Sequence, residues 1–210
     1  MPRPILVTAY GPFPGVPVNP TGAVLAQVQR DWEEFGPSRP LVAVELPVSY
    51  TQAPAQLQEL LTRHRPALTI CLGVDVSRRN IALEATAVNE VAAGKPDVDG
   101  VTQTGGPLFP TGPASWPSPF AVDEAVATLR ASGYPVERSD DAGRYLCNAA
   151  LAVTCHHLGP ASGDGGLFVH IAEPPFVETA VAARLVLALA NATSWWGHPA
   201  APEPGTQSAP

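Results

Sequence analysis

Apolar positions recur along this chain in two periods. Short aliphatic and β-branched runs alternate with stretches whose apolar residues fall at helical spacing. "PILVTAY" (4–10), closed by Gly11-Pro12, predicts a buried first strand. "PTGAVLAQVQRDW" (20–32) predicts a helix with Pro20 near its start. "LVAVELPV" (41–48) predicts a strand, and "TQAPAQLQELLTRH" (51–64) an amphipathic helix with Thr51 as N-cap. "ALTICLGV" (67–74) predicts a strand buried on both faces. "RNIALEATAVNEV" (79–91) alternates as a single strand, with Ala82, Glu84 and Thr86 on one side. A long loop follows over 92–119, with a hairpin expected around Gly105-Gly106. The remainder predicts a helix over 121–133, a strand over 135–139, a helix over 141–158, a strand over 166–175 and a helix over 177–193.

Strands alternating with helices mean an α/β protein, a mostly parallel sheet with helices on both faces. In such sheets the site lies past the carboxyl ends of strands, where Gly73 and His170 fall. With 210 residues the chain suits one compact domain, expected over 1–197; the Pro-, Gly- and Ser-containing tail 198–210 is expected to be disordered.

Composition narrows the function classes. The 12 basic residues form no cluster against 19 acidic ones, which argues against nucleic acid as a partner. No apolar stretch is long enough to span a bilayer, and "MPRPILVTAYGPF" lacks the apolar region of a signal peptide. Three cysteines cannot all pair within one chain, so free thiols and a cytoplasmic location are expected.

Two of those cysteines share one helix. If Ser139–Asp141 cap it, Cys147 lies about one turn in, where amide N–H groups and the helix dipole favour a thiolate. Cys155 is roughly 12 Å further along the axis and gains nothing from that end. Core filling is the other reading of either thiol. His156 and His157 sit roughly 13–15 Å from Cys147 on the same rigid helix and cannot serve it. His170 interrupts an apolar strand, either as a hydrogen-bonded core histidine or as a general base at a strand end. Glu84 lies either on a solvated sheet face or against a partner, because burying it alone is costly.

Five segments, in order, resemble the pyroglutamyl peptidase I family, cytoplasmic cysteine peptidases that remove N-terminal pyroglutamate. They are "ILVTAYGPFPGVPVNPTG", "LPVSY", "NIALEATAVNEVAAGKPDVDG", "SDDAGRYLCNAAL" with its Ala-Gly-x-x-x-Cys-Asn pattern, and "GLFVHIAEPP". The resemblance covers about residues 4–193. It implies a three-layer α/β/α sandwich around a mostly parallel or mixed twisted sheet. It also implies a catalytic triad of Cys147, His170 and Glu84, no metal or organic cofactor, and a homotetramer or dimer. Tyr10 and Phe13 match aromatic positions that flank the substrate's lactam ring, and Tyr145 and Leu146 match other walls of its pocket.

The chain departs from the family in three places. Val74 stands where the family has a glutamine able to hydrogen-bond the lactam. Gly94 and Lys95 replace an arginine and an apolar residue before Pro96. Asp140-Asp141 precede Ala142-Gly143 where neutral residues are common; they either cap the helix or repel a thiolate at Cys147. A cysteine amidase for another small N-acyl or lactam group, and an inactive binding protein on the same fold, are the alternatives these departures keep open.

Overall fold

The computed structural model describes residues 2–91, 94–159 and 162–196. In chain order the elements are β1 (Ile5–Tyr10), α1 (Pro20–Phe35), β2 (Leu41–Leu46), α2 (Gln52–His64), β3 (Leu68–Val74), β4 (Ile81–Glu84) and β5 (Thr86–Val88). They continue with β6 (Ser115–Pro117), α3 (Val122–Ala131), β7 (Val136–Ser139), α4 (Leu146–Leu158), β8 (Gly165–Ile171) and α5 (Thr179–Asn191). Six strands form one sheet in the order β2-β1-β3-β8-β4-β7. Every neighbouring pair is parallel except β4 with β8. The sheet is therefore mixed, as the resemblance implies.

Period-2 alternation assigns side chains to the two faces. Ile5, Val7, Leu68, Ile70, Leu167, Val169, Ile171, Ile81 and Leu83 pack with α1, α3 and α5. Leu6, Tyr10, Cys71 and Phe168 pack on the opposite face with α2 and α4. Helices on both faces make the expected α/β/α layers. Glu84 shares its parity with Ala82, and His170 with Phe168, so both project toward the α2–α4 face. The start of α1 is locally encoded: Asn19 accepts the Thr21 N–H at 3.2 Å as N-cap, and Pro20 opens the helix.

Several boundaries differ from expectation. Residues 79–91 do not form one strand. At Ala85 the N–H turns to the Ser139 carbonyl and the carbonyl accepts from Ser118. The chain thus leaves the large sheet after Glu84 and enters a two-stranded one, β5 with β6. The strand partner inside the expected loop is 115–117; Gly106 makes only a single bridge, to Val91. Thr51 makes no side-chain cap; Ser49 Oγ accepts the Gln52 N–H at 3.2 Å instead. Helix α4 begins at Leu146 rather than Asp141, because Gly143 takes a φ of +78° that no right-handed helix contains. The tail expected over 198–210 lies outside the described residues.

Candidate active site

The late start of α4 changes the position of the sulfur. Cys147 is the second helical residue, with Tyr145 at the N-cap and no side chain capping the end. The first-turn N–H groups of a helix have no acceptor within it, so these amides stay open beside the thiol. Asn148, the next residue, is buried and clamps the neighbouring chain. It accepts the Val88 N–H and donates to the carbonyls of Val88 and Glu90, each at 2.9 Å.

The sheet brings the other two groups to this point. In the antiparallel β4–β8 pair Ala82 lies opposite His170, which makes Glu84 the diagonal neighbour on the same face. Nδ1 of His170 lies 2.7 Å from Oε1 of Glu84. Glu84 is fully buried, so it does not occupy a solvated sheet face. With Nδ1 engaged, Nε2 is the nitrogen left for Cys147, which lines the same cavity. The edge of Phe168 packs on the imidazole at 4.9 Å between centroids. On the other flank Gly73 lies opposite His170; a β-carbon there would come within 2.6 Å of Phe168 and 3.1 Å of Cys147 Sγ.

Electrostatics separates the ionisable groups. Burial alone would push His170 down, but the charge and hydrogen bond of Cys147, then those of Glu84, raise it to about 10. All three cysteines are free. Burial pushes Cys71 up to about 11 and Cys155 up to about 12, which keeps both as thiols. Cys147 alone is partly exposed.

Cys147 and His170 open into a cavity of about 710 Å³. Tyr10, Phe13, Val74, Tyr145 and Leu146 all line it. The Tyr10 hydroxyl donates to the Leu146 carbonyl at 2.7 Å, so the residue offers its ring to the cavity and keeps its polar tip occupied. Phe13 and Tyr50 pack against Tyr145 at 6.3 and 5.4 Å between ring centroids. The Tyr50 and Tyr145 hydroxyls donate to the carbonyls of Lys95 and Pro96, strapping that segment over the cavity. Buried Asp97 anchors the strap by accepting the N–H groups of Tyr50, Asp99 and Val101 at 2.8–2.9 Å.

The sequence model of the pyroglutamyl peptidase family matches residues 3–183. The chain belongs to this family. It is similar to the pyrrolidone-carboxylate peptidase of Gloeobacter violaceus, at 34% identity over 177 residues, 84% of each chain. It also resembles the crystal structure of pyrrolidone carboxyl peptidase from Thermus thermophilus, with a TM-score of 0.80 and 30% identity over 88% of this chain and 97% of that one. Pyroglutamyl peptidase I from Bacillus amyloliquefaciens superposes with a TM-score of 0.81 over 92% of this chain and 98% of that one; its 24% identity bears on the fold alone.

The three departures from the family pattern take definite forms. Val74 presents no polar atom to the cavity beyond its backbone. The adjacent Asp75 carboxylate is committed to Ser77 and Arg78. Lys95 lines the cavity mouth. Asp140 and Asp141 do not cap α4; each is ion-paired, with Arg138 and Arg144 respectively. Arg78 and Asp97 are site residues that spacing alone misses. Asp97 had a signal, since Asp97-Val98-Asp99-Gly100 is turn-forming composition. The partners of Arg78 are not local: all but one lie more than five residues away in sequence.

Proposed function

We infer that this chain is a cysteine omega-peptidase that removes N-terminal pyroglutamate from peptides. The observation that carries this reading is that Cys147 and His170 line one cavity with buried Glu84 bonded to His170 behind it, in a member of the pyroglutamyl peptidase family. His170, its imidazole oriented by Glu84, holds the proton that Cys147 gives up. The thiolate attacks the pyroglutamyl carbonyl, and the open amides at the start of α4 stabilise the oxyanion. His170 gives its proton to the departing amine. It then takes a proton from the water that hydrolyses the thioester. Tyr10, Phe13, Tyr145 and Leu146 wall the lactam ring.

Three unpaired thiols suit a reducing compartment, and the reading includes a cytoplasmic location and a homotetramer or dimer on the strength of the family resemblance. Among the described residues no helix is long and apolar enough to cross a membrane.

A second reading, a cysteine amidase for another small acyl group, is favoured by Val74 and by the commitment of Asp75 to Ser77 and Arg78. Acid quenching during turnover of a pyroglutamyl amide, followed by mass spectrometry, separates the two. A pyroglutamyl thioester on Cys147 is expected. A thioester formed only from other small N-acyl amides would support the second reading instead.

A further inference from the structure

Arg78 follows β3 and reaches both β4 and β7 from its loop. Its Nε lies 3.0 Å from Oδ2 of Asp75, and one terminal nitrogen lies 2.9 Å from Oε1 of Glu137 on β7. The other terminal nitrogen donates to Ser139 Oγ at 3.0 Å and stands 3.5 Å from Oε1 of Glu84. The guanidinium and His170 thus flank the same carboxylate oxygen. Oε2 of Glu84 is buried with no hydrogen-bond partner among the described residues. Charges therefore alternate along a continuous line: Cys147, His170, Glu84 and Arg78, with Asp75 and Glu137 beyond.

A brace for the loop after β3 would need only Asp75, Glu137 and Ser139. The approach to Glu84 adds nothing to such a brace. It does place a positive charge against a cluster in which Glu84 and Asp75 are negative and Cys147 becomes so. We propose that Arg78 is a positioning residue for the nucleophile, holding Glu84 against His170 and lowering the pH at which the Cys147 thiolate forms. This rests on the functional reading above.

The groups that face the Cys147–His170 pair come from every neighbouring element. Glu84 lies on β4, Asp75 and Arg78 on the loop after β3, and Glu137 on β7. Tyr10 and Cys71 face the sulfur from β1 and β3, and Tyr145 from the N-cap of α4. Asp141 is paired with Arg144, and Lys95 is exposed at the cavity mouth. Arg78 is the cation among them that reaches Glu84.

The test is the pH dependence of Cys147 alkylation by iodoacetamide in the full chain, alongside hydrolysis of a pyroglutamyl amide. Arg78→Met is expected to move the acid limb of alkylation up by about one pH unit, the scale of one nearby charge in a partly buried site. The rate below the limb then falls about tenfold. Arg78→Lys keeps the charge and is expected to restore the limb. A limb unmoved in Arg78→Met, with hydrolysis lost in both variants, would mean a brace only and overturn the proposal. Should Arg78→Met fail to fold, Glu137→Gln removes a counter-charge at a partly exposed position and is expected to move the limb down; an unmoved limb there would also overturn it. A shifted limb in a protein that never hydrolyses pyroglutamyl amides would instead defeat the functional reading and leave the positioning role standing.

Discussion

The sulfur of Cys147 occupies space that Gly73 leaves empty: a β-carbon on Gly73 would stand 3.1 Å from it and 2.6 Å from the ring of Phe168. Gly73 lies opposite His170 in the β3–β8 pair, so one missing side chain lets the thiol, the imidazole and its aromatic support share a layer. Gly73→Ala is expected to destabilise the fold by about 1–3 kcal/mol through overpacking. Hydrolysis is expected to fall further than stability does, because the displaced atom is the nucleophile. Denaturation midpoints and kcat measured on the same preparation check this; unchanged kcat would mean the sulfur has room to spare.

The three thiols should react unequally. Burial keeps Cys71 and Cys155 protonated and inaccessible. Alkylation of the native protein at neutral pH is expected to modify Cys147 alone, as peptide mapping would show. Cys155→Ser is expected to retain near-normal turnover.

His170 makes the stability depend on pH. Its folded value, about 10, lies above the ordinary 6.5, so the folded state holds the proton more tightly. The resulting stabilisation is complete below the ordinary value and is lost as pH rises through about 10. Denaturant unfolding is expected to show a decline across that window that is missing in His170→Gln. In Glu84→Gln the decline should still begin near the ordinary value but end at lower pH and be smaller, because the charge and hydrogen bond that help to raise His170 are gone. A profile identical to wild type in Glu84→Gln would mean the 2.7 Å contact carries no energy.

Much of this site could be read before the fold was known. Glu84 and His170 stood out as polar residues in apolar strands, and Cys147 as a thiol near a helix start. Period-2 patterning also implied two packed faces, which the sheet has. The misplaced boundaries depend on distant partners. Nothing local in 79–91 shows that Ala85 will bond Ser139 and Ser118 and so divide the strand between two sheets. The start of α4 was misjudged because Gly143 permits a helix or a turn, and its positive φ is set by the surrounding structure. Arg78 is the less legible residue because its partners Glu137 and Ser139 lie 59 and 61 residues away in sequence.

Substrate discrimination should be adjustable at Val74. Restoring a hydrogen-bonding side chain with Val74→Gln is expected to lower KM for a pyroglutamyl amide by about three- to tenfold, the worth of one net hydrogen bond. A matched cyclopentanecarbonyl amide, which lacks the lactam N–H and ring C=O, should gain nothing. Equal effects on both substrates would place residue 74 away from the lactam.

The central claim, that Cys147 attacks pyroglutamyl peptides from within the Cys147–His170–Glu84 cluster, is tested most directly by hydrolysis of a pyroglutamyl–fluorophore amide. Wild type is expected to release the fluorophore, Cys147→Ala to release none while keeping the wild-type unfolding midpoint, and Cys155→Ser to match wild type. Turnover that survives in folded Cys147→Ala would contradict the claim.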